Sequence, residues 1–176
     1  MPRFVALLRG VNVGKAKRVP MADWRAGLEA LGCTEVQTLL NSGNAIFTSR
    51  ARSSSTLAES IRARLLEDTG VEAPVVVKSA DEMRRIAENN PLAELVDDPS
   101  RLLVAFASQA QLIRDLAPIV ALAVKPERVA LTEDAAYLWC ANGILESKAA
   151  EALLGKAGRA VTTRNWATVQ KIIALL

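Results

Sequence analysis

Glu35-Val36-Gln37-Thr38-Leu39-Leu40-Asn41-Ser42-Gly43-Asn44-Ala45-Ile46-Phe47-Thr48-Ser49 is the stretch on which the fold turns. Two runs rich in β-branched and aliphatic residues flank Asn41-Ser42-Gly43. Gly and Asn tolerate the left-handed backbone of a tight reversal, so Glu35–Leu40 and Asn44–Ser49 read as the two strands of a hairpin. Upstream, Met21–Leu31 is a predicted helix with Trp24, Leu28 and Leu31 on one face and Gly32 as its stop signal. Before it, Arg3–Arg9 has the pattern of a strand. Downstream, Thr56-Leu57-Ala58-Glu59 has the form of a capping box that opens a helix running to Gly70, and Ala73–Lys78 is a further strand. Residues 1–78 thus read βαββαβ.

The same order recurs. Ser79-Ala80-Asp81-Glu82 is a second capping box, and its helix must stop before Pro91, because the residue preceding proline avoids helical geometry. Residues 79–100 form a helical connector, and 101–176 the second half. There Leu102–Ala107 is a strand, and Ser108-Gln109-Ala110-Gln111 caps a helix through about Ala121. Arg128–Thr132 and Ala136–Cys140 make a second hairpin around Glu133-Asp134. A helix at about Lys148–Leu154 ends at Gly155, Ala160–Thr163 is a short strand, and Trp166–Leu176 is a closing helix. Trp166, Val169, Ile172, Ile173 and Leu176 form its inner face. The repeat lies in the order of elements, not in residue identities. The expected class is α+β: two ferredoxin-like halves with antiparallel sheets, plus a C-terminal helix. The first strand of each half is apolar on both faces, so both faces should be covered. Whether the halves pack sheet to sheet or the bare face meets another chain, as in a homo-oligomer, is a choice the sequence does not make.

Composition narrows the chemistry. The chain of 176 residues, 51% hydrophobic and 23% charged, is globular rather than disordered. Arg3 and Arg9 bracket too short an apolar run for a secretory signal, and Leu116–Val124, broken by Pro118, is far short of a membrane span. A soluble, cytoplasmic protein with no membrane partner is the expectation. Cys33 and Cys140 stand in no ligand spacing and read as small buried core residues. The chain has no histidine, which removes Ser-His and Cys-His nucleophiles and any His-based metal centre, so no metal site is expected. No sequence feature names a cofactor.

Charge is distributed unevenly. Residues 1–22 carry Arg3, Arg9, Lys15, Lys17 and Arg18 with no acid, and residues 152–176 carry Lys156, Arg159, Arg164 and Lys171 with none. The middle holds the remaining 13 basic residues against all 19 acidic ones. Basic ends on an acidic body suit an anionic ligand or an acidic partner. The first crossover of each half sharpens this. The second half joins strand to helix almost directly through Ser108, whereas the first spends residues 10–20 on the same connection: Gly10-Val11-Asn12-Val13-Gly14-Lys15-Ala16-Lys17-Arg18-Val19-Pro20. A long loop where a short one suffices is usually functional or disordered, and its glycines and cations suit an anion. It is not a P-loop, which needs four residues between its glycines and Ser or Thr after the lysine; here three intervene and Ala16 follows. At the other end, Asn165 is a natural N-cap of the closing helix, with Arg164 beside the exposed N–H groups.

Three segments, Ala6-Leu7-Leu8-Arg9-Gly10-Val11-Asn12-Val13-Gly14, Ser42-Gly43-Asn44 and Thr162-Thr163-Arg164-Asn165-Trp166, together resemble the bacterial family of domain of unknown function 1697. The resemblance spans nearly the whole chain in the same order. It implies a duplicated α+β fold with two ferredoxin-like subdomains, and no established activity, substrate or catalytic residue. The chain departs from the family pattern in having Lys15 where a second glycine often follows the Asn-Val-Gly run, and Ala167 where a polar residue often follows the tryptophan.

Spacing, charge and resemblance single out the same ligand-binding candidates: Arg9, Asn12, Gly14, Lys15, Ser42, Asn44, Thr163, Arg164 and Asn165. They are mainly donors and cations, with no activated nucleophile and no carboxylate pair, so catalytic residues remain unassigned. The leading expectation is a binding module for a phosphate-bearing ligand, a nucleotide or phosphorylated metabolite, at one site where loop 10–20 and Thr162–Asn165 converge. RNA is less favoured, because Phe4, Phe47, Phe106, Tyr137 and Trp139 are the only strand aromatics that could stack bases. The alternatives are a transferase or hydrolase in which Arg9 and Lys15 stabilise charge, and an oligomeric or structural interaction protein.

Overall fold

The computed structural model describes all residues, Met1–Leu176. The order is β1 (Arg3–Leu8), α1 (Met21–Ala30), β2 (Thr34–Leu39), β3 (Asn44–Thr48), α2 (Ser54–Thr69), β4 (Val75–Ser79) and α3 (Ala80–Glu88). It continues with β5 (Leu102–Phe106), α4 (Ala110–Arg114), β6 (Arg128–Leu131), β7 (Ala135–Trp139), α5 (Lys148–Leu154), β8 (Thr162–Asn165) and α6 (Trp166–Ala174). Short 3₁₀ turns fill in at Ala93–Leu95, Pro99–Arg101, Ala117–Leu122 and Ile144–Glu146. Two four-stranded antiparallel sheets result, ordered β2-β3-β1-β4 and β6-β7-β5-β8, the same permutation twice. The predicted α+β class with two βαββαβ halves and a closing helix is therefore what the chain adopts. Each half also ends in a helix of equivalent place, α3 and α6. The chain divides into two compact units, Met1–Met83 with Ala174–Leu176, and Arg84–Ile173.

In the first unit, Phe4, Ala6 and Leu8 of β1 point into a core with Trp24 and Leu28 of α1, Phe47 of β3 and Leu57, Ile61 and Leu65 of α2. Phe4 and Phe47 stack with centroids 6.1 Å apart. Val5 and Leu7, on the opposite face, are fully buried as well, as the two-sided apolar pattern requires. In the second unit Leu103, Ala105, Ala136 and Leu138 pack with Ile113, Leu116, Ile119 and Leu153. On the other face of that sheet the Tyr137 hydroxyl donates to the Ile86 carbonyl of α3 at 2.7 Å. Arg85 of α3 also grips the Asp134 carboxylate with two bonds of 2.8 and 2.9 Å.

The registers make the duplication residue-specific. Val5 of β1 pairs with Ile46 and Lys78 on its two sides, and Val104 of β5 pairs with Tyr137 and Arg164. Ser79 and Asn165 follow these two cations and cap α3 and α6. Ser79 Oγ accepts from Glu82 N while Glu82 Oε2 accepts from Ser79 N, the predicted capping box. Asn165 Oδ1 accepts from Thr168 N at 2.9 Å.

Several local expectations change. Leu31, expected on the buried face of α1, lies past its end and is 38% exposed, and α6 ends at Ala174, before Leu176. The box at Thr56 opens nothing: Ser53 is the cap, its hydroxyl taking Thr56 N, and α2 begins at Ser54. At Ser108 no side chain caps α4, whose N-cap is Gln109. That helix is only Ala110–Arg114, because Pro118 lacks the N–H that would continue it, and the chain tightens into the 3₁₀ turn Ala117–Leu122. The last strand runs Thr162–Asn165 rather than 160–163, and passes straight into α6.

Candidate functional site

The loop of residues 10–20 is an ordered excursion with two anchors. Val11 and Val19 are buried in the first unit's core, 2% and 1% exposed, while residues 13–18 are exposed. Asn12 closes the neck. Its N–H donates to Lys17 O at 3.0 Å. Its side chain accepts from Val19 N (2.8 Å) and donates to Val19 O (2.9 Å) and Asn41 O (2.8 Å). The last bond ties the loop to the β2–β3 turn at Asn41, the residue before Ser42-Gly43-Asn44. Asn12 holds this position in a left-handed conformation (φ 56°), as do Gly10 (69°), Gly14 (63°) and Lys17 (49°). Asparagine is the non-glycine residue that most readily accepts it.

The turn has its own construction. Asn44 is fully buried, and its Nδ2 is shared between Leu39 O and Ser42 Oγ, 2.9 Å each. The carbonyl of Gly43 (φ 89°) accepts from Leu8 N at 2.9 Å, and a Cβ at Gly43 would lie 2.6 Å from Leu8 Cβ. Only glycine lets the turn approach β1 so closely. Of the two turn candidates, Ser42 is therefore the exposed one and Asn44 is the residue that shapes the turn.

Around this frame stand the cations. Lys15, Lys17 and Arg18 are exposed and take part in no ion pair. Arg18 Nη1 donates to Gly14 O at 3.1 Å, bracing the loop tip. Arg9 is half-buried at the end of β1, where burial lowers its pKa from the usual arginine value. Its N–H donates to Pro74 O at 3.1 Å. Two grooves flank the loop. One of about 320 Å³ is lined by Asn12, Arg18, Val19, Pro20, Met21 and Asn41. The other, about 660 Å³, is lined by Lys17, Arg62, Gly70, Val71, Glu72, Ala73 and Pro74. Asn41, Arg18 and Arg62 were not among the residues singled out from sequence. Arg18 lay in the basic run and could have been; Arg62, on a solvated helix, gave no signal.

The remaining candidates belong to the second unit. Arg164 is only 9% exposed, burial pulls its pKa down to about 10, and Nη1 donates to the adjacent Thr163 O at 3.0 Å. The buried hydroxyls of Thr162 and Thr163 have no hydrogen-bond partner in the chain. Asn165 is engaged as the α6 cap, and Trp166 is buried, 8% exposed. The thiols of Cys33 and Cys140 are buried and free, and burial raises both pKa values, Cys140 to about 11, which leaves them protonated and unreactive at neutral pH. No group of three or more acidic or thiol side chains is placed to hold a metal ion. No helix is long and apolar enough to cross a membrane.

A conserved bacterial protein from Streptococcus pneumoniae has a similar solved structure: TM-score 0.82, 26% identity, 99% of this chain and 98% of that one. No curated protein sequence matches significantly. Residues 1–137, which contain the loop, its clamp and the turn, match the family described as Protein of unknown function (DUF1697). The segment Thr162–Trp166 lies beyond that match, within the span aligned to the streptococcal protein. On the match across residues 1–137, the chain belongs to the DUF1697 family.

Proposed function

We propose that this protein binds a phosphate-bearing small molecule, a nucleotide or phosphorylated metabolite, at loop 10–20 of the first unit. The observation that carries this is the loop itself. Asn12 and two core valines anchor it at the neck, and it presents Lys15, Lys17 and Arg18 to solvent with none of them in an ion pair. Three like charges gathered on one short, fixed loop repel one another, and an anion relieves that repulsion. Left-handed residues at 10, 12, 14 and 17 bend the backbone in the manner of anion-binding concavities. Gly10 and Gly14 have no atom within 4 Å of where a Cβ would stand, so a ligand can approach the chain there. Arg9 and Ser42 border the same frame.

Nucleic acid is the less supported version. Phe4, Phe47, Phe106, Tyr137 and Trp139 are all buried, so none of the strand aromatics offers a stacking platform. A reducing, cytoplasmic setting suits the two free cysteines.

Isothermal titration with inorganic phosphate and pyrophosphate at low salt tests the proposal. Lys15→Ala, Lys17→Ala and Arg18→Ala should each weaken binding several-fold and leave stability within about 0.5 kcal/mol, as surface changes do. Affinity should fall steeply with added salt. Undiminished binding by the triple variant, or none by the wild type, rejects the loop as the site.

A further inference from the structure

We propose that the 660 Å³ groove beside the loop receives the hydroxyl-bearing organic part of the phosphate ester, which makes the ligand a sugar phosphate or nucleotide rather than a free oxyanion. This rests on the phosphate-binding reading of the loop. The volume is in the range of small-molecule sites, roughly 300–1,000 Å³. Lys17 belongs both to the cationic loop and to the groove lining, so a phosphate at the loop leaves its ester substituent at the groove's mouth. The far wall, Gly70–Pro74, is fastened to the base of the loop by the bond from Arg9 N to Pro74 O. Phosphate site and groove therefore move as one piece.

The lining has two chemistries. Val71, partly exposed, and Pro74, exposed, supply apolar surface for the C–H faces of a sugar ring. Glu72 supplies an acceptor-only carboxylate, the group that takes paired hydroxyl donors. Its partner Arg62 stands 3.7 Å away, both side chains are more than half exposed (58% and 70%), and such a pair is weak enough to open for a ligand. At Gly70 (φ 70°), which ends α2, a Cβ would meet nothing within 4 Å, so that side of the groove is open space. A carboxylate in the lining would only repel bare phosphate. It becomes useful when the ligand carries hydroxyls.

The test compares ribose 5-phosphate with inorganic phosphate by isothermal titration, on the wild type and on Glu72→Gln. The wild type should bind the ester about tenfold or more tighter, the value of a hydrogen bond to a charged acceptor. Glu72→Gln should shrink that preference severalfold while inorganic phosphate binds equally well or more tightly, since a nearby negative charge is gone. Glu72 is exposed, so the variant folds. Equal affinity for ester and phosphate in the wild type, or a preference untouched by Glu72→Gln, overturns the groove assignment and leaves the loop reading standing. Failure of both ligands to bind the wild type removes the loop reading and this inference together.

Discussion

The two units fold the same element order into the same strand permutation, yet they spend their first crossover differently. Between β5 and α4 the second unit uses Ala107, Ser108 and Gln109 alone, whereas the first unit places residues 9–20 between β1 and α1. The connection is topologically identical, so the extra residues are not needed to fold a βαββαβ unit. They add a cationic surface held by a dedicated clamp, and that is the argument for function in the first unit. A second contrast lies after the last strands. Lys78 and Arg164 occupy equivalent register positions and are equally buried, 9% exposed each. Lys78 has Glu82 3.9 Å away in the first turn of α3, where the equivalent residue of α6 is Thr168.

The largest expected effect separates the two trailing helices. Trp166 opens α6 where α3 has Ala80. Trp166→Ala should destabilise by about 3–5 kcal/mol, against under about 1 kcal/mol for Ala80→Gly, in denaturant melts. A loss below about 1 kcal/mol at Trp166 would make the two helices equivalent after all.

Asn12→Ala comes next. It removes three side-chain hydrogen bonds, each worth about 1 kcal/mol, so about 2–3 kcal/mol should be lost and phosphate affinity should fall with it. If stability drops by less than about 0.5 kcal/mol, Val11 and Val19 alone define the loop. The caps are smaller still: Ser79→Ala and Asn165→Ala should each cost about 1 kcal/mol, and Gln109→Ala, which makes no cap bond, close to nothing. A loss at Gln109 comparable to the other two would break the distinction between capped and uncapped helices.

The smallest effect appears only in alkali, in the second unit. Burial raises Tyr137 from 10 to about 12 and Cys140 from 9 to about 11. Both are neutral when protonated, so the native state retains protons that the unfolded chain has lost. The stability they confer is full below about pH 9 and falls between about pH 9 and 12. Arg164, lowered from 12.5 to about 10, works the other way above pH 10. Urea melts at pH 8 and pH 10.5 should show a loss that Cys140→Ala reduces; an unchanged slope would mean that Cys140 titrates normally.

The helices and strands were largely legible, because period-2 and period-3.6 apolar patterns such as Phe4/Ala6/Leu8 and Leu57/Ile61/Leu65 report burial directly. The cap of α2 is ambiguous in the sequence. Ser53 and Thr56 are both hydroxyl residues a turn apart, and only packing of α2 chooses the one that starts the helix. In the candidate site, loop 10–20 was visible as surplus length and charge. Its clamp was not, since Asn12 and Asn41 are 29 positions apart and nothing local couples them.

The sequence by itself determined the α+β class, the doubled βαββαβ order, the buried stripe Trp166, Val169 and Ile172 of the closing helix and the basic character of the long loop. Each is written in local spacing, which constrains a chain before it folds. Only the tertiary structure decided that Asn44 is buried within its turn, that Asn12 ties two distant segments together, and that Arg62 and Glu72 flank a groove beside the loop. These are contacts between residues far apart in the chain, set by how sheet and helices pack and invisible to any pattern of neighbours.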